Sequence, residues 1–181
     1  MRAWRETYDL PTLITNCSNN YGPYQFPEKL IPHMIIRGLA EQELPLYGDG
    51  KNVRDWLYVE DHAQALTSVL QHGRVGDTYN IGGRNERTNL DVVHAVCDIL
   101  DRVRPSNKGP RRHLIKFVDD RPGHDLRYAI DATKLEREIG WRAKENFETG
   151  IERTVKWYVA ERRWWEAILA AGYKAQRLGI A

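Results

Sequence analysis

Hydrophobic and polar positions alternate between two periods along this chain. In "MRAWRETYDL" Trp4 and Tyr8 lie one helical turn apart, and the pattern stops before Pro11, as helices do ahead of proline. The β-branched run "TLITNCSN" predicts a buried strand that feeds the turn-rich "NNYGPYQFP". From residue 28, Leu30, Ile31, Met34, Ile35 and Gly38 fall on one helix face, and the strand-like "LPLYG" follows. "GDGKN" predicts a hairpin-like turn and "VRDWLYV" an alternating strand. "EDHAQALTSVLQHG" predicts a helix closing at Gly73, with Glu60 and Asp61 in the first turn, where the helix dipole favours negative charge.

"DTYNIGG" reads as a strand ended by glycines. Thr88 is placed to cap a helix over "NLDVVHAVCDILDRV", in which Leu90, Val93, Cys97 and Leu100 share a face. "RVRPSNKGPRRH" has the composition of an exposed loop, "LIKFV" and "RYAID" of short strands, and Asp131 caps a helix ending at Gly140. A last long helix sets Phe147, Ile151, Val155 and Tyr158 on one face, and "RRWWEAILAAGY" continues apolar enough to dock. The class is mixed α/β, with too few consecutive βαβ units for a complete doubly wound sheet.

The bulk numbers narrow the function classes. The chain has 181 residues, enough for one domain with a real core, and 41% of them are hydrophobic and 29% charged, near globular averages. A net charge of +2 with interspersed signs argues against a nucleic-acid surface. Cys17 and Cys97 match no paired metal spacing and read as reduced thiols, which excludes a zinc site and points to the cytoplasm. No apolar run approaches the roughly 18 residues of a membrane span, and the start lacks a signal-peptide core.

Candidate chemistry is local and anion-directed. No Gly-x-Gly-x-x-Gly run opens a helix after a strand; "GDGKNV" supplies Gly48 and Gly50 and then fails. Tyr47 and Lys51 have the i, i+4 spacing of a tyrosine base and its lysine, but they flank "GDG", which does not hold a helix. "NCSNNYGP" places amides and a serine at a strand end, where open α/β sheets present ligands; Asn19 and Asn20 serve either a ligand or the turn backbone. "DDRPGHDLRY" sets Arg121 and His124 around a Pro-Gly turn. Arg54 and Arg121, each beside aspartate, read either as surface ion pairs or as forks that clamp a diphosphate bidentately. His124 reads as a phosphate donor or a solvated loop residue.

Several stretches together resemble a known family. "NCSNNYGPYQFPEKLIP", "LPLYGDGKNVRDWLYVEDHAQAL", "GDTYNIGGRNERTNLDVV", "DDRPGHDLRYAID" and "LEREIGW" followed by "FETGIERTVKWY" resemble, in the same order, the C-terminal part of the dTDP-glucose 4,6-dehydratases. These are extended short-chain dehydrogenase/reductases, with an N-terminal Rossmann domain for NAD and a smaller substrate domain. The resemblance implies a lyase that oxidises a sugar at C4 with bound NAD, eliminates water across C5 and C6, and returns the hydride to C6. It implies late Rossmann elements at about residues 1–27 and 50–83 and a substrate side at about 28–49 and 84–181.

By motif, the resemblance assigns Asn19 to the substrate and Asn20 to NAD. Lys29 and Leu30 would line the nucleotide diphosphate, Pro45, Leu46 and Tyr47 the nucleoside, and Arg54 and Arg121 the diphosphate. Asn89 and the loop Asp120, Arg121, Pro122, Gly123, His124 would complete the pocket. The family's glycine fingerprint, its acid and base, and its Tyr-x-x-x-Lys pair have no counterpart here and would lie upstream of Met1, as would the Rossmann half. The expectation is therefore a fragment inactive by itself, with an incomplete form of the family's homodimer interface. The ligand implied is dTDP-glucose or dTDP, with no nucleic acid, membrane or metal. A nonenzymatic dTDP-sugar-binding module and a fragment of an epimerase or decarboxylase are the alternatives.

Overall fold

The α/β alternation read from the sequence runs through the computed structural model, which describes residues 1–172. Its helices are α1 (Arg2–Tyr8), α2 (Leu30–Leu39), α3 (Val59–His72), α4 (Asn89–Val103), α5 (Thr133–Ile139), α6 (Phe147–Ala160) and α7 (Arg162–Ala170). Its strands are β1 (Ile14–Cys17), β2 (Asn19–Tyr21), β3 (Leu44–Tyr47), β4 (Val53–Tyr58), β5 (Thr78–Ile81), β6 (Glu86–Thr88), β7 (Ile115–Val118) and β8 (Arg127–Tyr128). Residue 173, the end of the expected docking tail, lies outside the described residues. The chain divides into two interleaved compact units. The first comprises Met1–Asn20, Val53–Arg87 and Arg127–Phe147; the second comprises Tyr21–Asn52, Thr88–Leu126 and the chain from Glu148 onward.

In the first unit β1 and β5 run parallel, with Ile14 opposite Thr78 and Cys17 opposite Ile81. Leu57, Ala65, Val69, Tyr79, Ile81, Leu135 and Trp141 form its core, with Leu13 and Cys17 packed at the edge. The expected burial of β1 is partial: its residues are half-buried, and Asn16 is exposed. The strand β4 differs from the alternation expected of it. It lies between β2 and β6 and also pairs with β8, and every residue from Arg54 to Tyr58 is buried. Continuous burial of this kind belongs to a strand covered on both faces.

Asp61 lies in the first turn of α3, as expected, and has a second role that the sequence does not announce. It is buried and accepts hydrogen bonds from the backbone N–H groups of Lys144 (3.0 Å) and Glu145 (2.8 Å), tying α3 to the segment before α6. The end of α5 is as expected, with Gly140 in the left-handed region at φ 74°. At its start the expected cap is displaced by one residue: Ala132 holds the cap position, with no side-chain cap bond, and Asp131 just before it accepts from the Thr133 backbone N–H at 2.9 Å.

In the second unit β3 pairs parallel with β7, Leu44 opposite Ile115 and Tyr47 opposite Val118. The predicted hairpin is therefore a turn without a hairpin. The strands on either side of "GDGKN" belong to different sheets, because β7 supplies β3 with its partner from far along the chain. α2 packs on α4. Thr88 caps α4 as expected, and reciprocally: its hydroxyl accepts from Asp91 N–H at 3.1 Å while Asp91 accepts from Thr88 N–H at 3.3 Å.

Arg111 corrects the reading of "RVRPSNKGPRRH" as wholly exposed. It is 4% exposed in a 3-10 turn (Arg111–Leu114), donates to Gly38 O at 2.9 Å, and pairs with Asp101 at 2.7 Å. Two carbonyl and carboxylate acceptors make burial of the guanidinium tolerable. On α6, Phe147, Ile151, Val155 and Tyr158 are all buried, as the helical spacing predicts. Both cysteines are free, and burial pushes the Cys97 thiol up to about 12, so it serves α4 as an apolar filler.

Candidate functional site

In the first unit the candidate residues gather at the carboxyl end of the parallel pair β1 and β5. Ser18 N–H donates to Ile81 O at 3.0 Å, which holds the two strand ends side by side. Asn20 Nδ2 donates to Ser18 O at 3.0 Å and to Cys17 Sγ at 3.3 Å, so this amide does serve the turn backbone. Asn19 is half-buried beside it on β2. Ser18, the serine of that strand end, is 3% exposed and its Oγ has no hydrogen-bond partner among the described residues.

Arg54 and Asp55 are not a surface ion pair. Arg54 is 8% exposed and its Nη1 donates to Val53 O at 2.7 Å. Asp55 is 1% exposed, and its carboxylate accepts from the N–H groups of Gly83 (3.0 Å) and Asn85 (2.7 Å). The loop leaving β5 is thereby strapped to β4. It approaches so closely that a Cβ on Gly83 would stand 2.1 Å from Trp56 O, which requires glycine at that position. No local pattern marks Asp55 for this duty, since its partners lie a strand and a helix away.

In the second unit the turn after β3 is the organising feature. Gly48 N–H donates to Val118 O at 2.9 Å, extending the β3–β7 ladder to the point where both strands end. Gly48 has φ 59°, and a Cβ there would lie 3.1 Å from Asp120 Oδ2. Asn89 N–H donates to Asn52 O and Leu90 N–H to Gly50 O, both at 3.0 Å, and Asn52 Nδ2 donates to Asp125 O at 3.2 Å. One turn thus joins the end of β3, the start of α4 and the loop over residues 119–126, bringing Tyr47, Asn89 and Asp120 to His124 together. Pro45 and Tyr47 are half-buried, whereas Leu46 is 1% exposed and packs beneath Gly50.

Lys29 and Leu30 stand at the start of α2, where the exposed Lys29 ammonium pairs with Glu28 at 2.7 Å. Lys51 pairs with Asp49 at 2.7 Å in the turn, away from any helix, so its spacing from Tyr47 has no catalytic geometry.

Within the loop, Asp120 acts as a staple. Its Oδ1 accepts from Arg121 N–H at 2.8 Å and pairs with His124 Nδ1 at 2.7 Å. The His124 side chain is 6% exposed, so it is not a solvated loop residue. Pro122, Gly123 and the Arg121 guanidinium remain exposed at the rim, with Gly123 at φ 67°. The hydrogen bond from His124, then that from the Arg121 amide, hold the Asp120 carboxyl below the usual carboxylate range.

A depressed carboxylate favours the ordered loop above the unfolded pKa, and that contribution disappears as pH falls through the folded pKa. An NMR titration of the Asp120 carboxyl carbon is expected to show a midpoint below the ordinary value. In His124→Gln the midpoint should move back up. An unchanged midpoint would remove the staple.

Among the described residues no group of three or more His, Cys, Asp and Glu could hold a metal ion, and no helix is long and apolar enough to cross a membrane.

The geometry acquires a lineage from comparison with known proteins. The family model described as GDP-mannose 4,6 dehydratase matches residues 1–154. The chain belongs to that family. Within it, the chain is 55% identical over 183 aligned residues to a dTDP-glucose 4,6-dehydratase of Escherichia coli, covering 99% of this chain and 51% of that protein. Two solved dTDP-glucose 4,6-dehydratases are similar. That of Bacillus anthracis, in complex with NAD, has a TM-score of 0.82 and 50% identity, covering 92% of this chain and 50% of that one. That of Streptomyces venezuelae, with NAD and TYD bound, has a TM-score of 0.85 and 46% identity, covering 92% and 49%. The chain spans about half the length of the curated relatives it matches.

Proposed function

We propose that this chain is the sugar-nucleotide side of a dTDP-glucose 4,6-dehydratase, a cytoplasmic lyase acting on dTDP-glucose. The observation that carries the reading is 55% identity to such an enzyme across 99% of the chain. On this reading each unit carries its own contacts: in the first, Arg54 is assigned to the diphosphate and Asn19 to the sugar; in the second, Arg121 is assigned to the diphosphate and Pro45 and Tyr47 to the nucleoside. The backbone of Leu46, together with Lys29, Leu30 and Asn89, completes the surround. Asp120 and His124 fix the loop that presents Arg121, and Pro122 and Gly123 shape its turn.

NAD, when bound, would supply the hydride acceptor that makes a net dehydration possible. Part of the first unit fits one end of it: the buried, unpartnered Ser18 hydroxyl and the neighbouring Asn20 form a polar point at the carboxyl end of β1. On this reading the cofactor contact in the first unit is Asn20, beside the substrate contacts Asn19 and Arg54. Residues 1–181 hold neither a Gly-x-Gly-x-x-Gly run nor a helical Tyr-x-x-x-Lys pair, so we propose ligand binding without turnover by this chain alone.

Calorimetry on the chain tests this. Saturable binding of dTDP, with UDP at least about tenfold weaker, is expected, a gap of roughly 1.4 kcal/mol. No binding of dTDP overturns the reading, and a preference for UDP transfers it to an epimerase or decarboxylase. Conversion of dTDP-glucose by the chain with added NAD would overturn the restriction to binding.

A further inference from the structure

The loop between Tyr21 and α2 is held by the last helices. Tyr24 sits in the left-handed region at φ 63°, a conformation that persists in a bulky residue when its surroundings enforce it. Burial is not what enforces it, since Tyr24 is 67% exposed. Its ring lies 4.7 Å from that of Trp157 on α6 and 5.4 Å, edge-on, from that of Trp164 on α7. The two tryptophans are 5.3 Å apart. Beside them Tyr158 donates its hydroxyl proton to Gln25 O. Burial holds that phenol above its ordinary pKa, so it stays a donor.

Trp165 fastens α7 in turn. It is 5% exposed, and its Nε1 donates to Tyr158 O at 2.9 Å. A cavity of about 310 Å³ lies between α7, lined by Arg162 and Trp165, and the loop end and α2, lined by Pro27 and His33. The clasp residues Trp157, Trp164 and Trp165 lie beyond residues 1–154, which match the broader family model, whereas the match to the Escherichia coli dTDP-glucose dehydratase covers 99% of the chain.

We propose that α7 is a positioning element for the loop over residues 22–29: Trp164 and Trp157 clasp Tyr24, and the clasp sets where Lys29 and Leu30 stand relative to the phosphates of a bound nucleoside diphosphate. The ligand part of this inference rests on the proposed function; the clasp does not. Trp164, Trp157 and Tyr24 are positioning residues, because none is assigned a contact with the ligand.

Amide hydrogen exchange and calorimetry with dTDP, on the full chain and its variants, test the two parts separately. In Trp164→Ala, which removes ring pairs to Tyr24 and Trp157, exchange of the Gln25 and Phe26 amides is expected to quicken about tenfold, while amides in α4 keep their rates. Tyr24→Ala should produce the same local change with α7 intact, and Trp164→Phe should restore most of the protection. Affinity for dTDP should fall about fivefold to tenfold in both alanine variants.

Unchanged exchange at residues 25–26 in Trp164→Ala and Tyr24→Ala would overturn the clasp, whatever the parent chain binds. Faster exchange with unchanged dTDP affinity would confine the clasp to the loop and overturn its role in placing the ligand. If the parent chain fails to bind dTDP, the proposed function fails and the ligand part with it, while exchange still decides the clasp.

Discussion

Asp55→Ala is expected to cost the chain about 3–5 kcal/mol. The carboxylate is 1% exposed and its two oxygens accept from Asn85 and Gly83 N–H. Charge-assisted bonds of this kind are the stronger ones, and truncation leaves two amides facing a cavity with no acceptor. Asp55→Asn keeps the volume and one carbonyl acceptor but turns its NH2 group toward a backbone donor, so it should recover less than half of the loss. Urea unfolding monitored by tryptophan fluorescence measures both. Stability within about 0.5 kcal/mol of the parent in Asp55→Ala, the range of an ordinary surface change, would show that the strap between β4 and the loop after β5 carries little.

Arg121→Ala is expected to weaken dTDP binding by about tenfold to hundredfold while leaving the unfolding midpoint unchanged, since a lost charge-assisted bond is worth roughly 1.5–3 kcal/mol. Its guanidinium is exposed, and what the fold fixes is its backbone, through the Asp120 carboxylate. Arg54→Ala should weaken binding to a similar extent but also destabilise, because Arg54 is buried within β4. Lysine at either position should recover part of the affinity, as a point charge without the bidentate fork. Calorimetry across a salt series separates the charge contribution from the rest. If Arg121→Ala binds dTDP as the parent does, the diphosphate is held elsewhere and the role proposed for Arg121 is lost.

Elements built from local chemistry were legible residue by residue. The face of α4 with Val93, Cys97 and Leu100, its reciprocal cap at Thr88 and Asp91, the stop of α5 at Gly140, and the stripe of α6 follow from side chains a turn apart. The family resemblance was legible too, because its motifs are contiguous. Misreadings came where a partner lies far along the chain. β3 turned out to pair with β7 instead of β4, and β4 is covered on both faces although its sequence suggested alternation. Arg111, inside a loop of exposed composition, found its acceptors at Gly38 and Asp101.

Among the candidate ligand residues the division has the same cause. The residue types around "NCSNN" and "DDRPGHD" announced polar, anion-directed chemistry, since amides and guanidinium groups carry that capacity wherever they sit. Which of them the fold keeps for itself was decided in three dimensions. Asp55 straps a loop and Asp120 staples one, while Asn20 Nδ2 closes a turn and His124 is tucked against Asp120. Sequence by itself determined the helical periods, the cap at Thr88, the stop at Gly140 and the lineage, all of which depend on neighbours within a few residues. Tertiary structure alone decided strand partners, the burial of charged groups and the clasp on Tyr24, because a hydrogen bond or ring contact between distant segments has no local period to betray it.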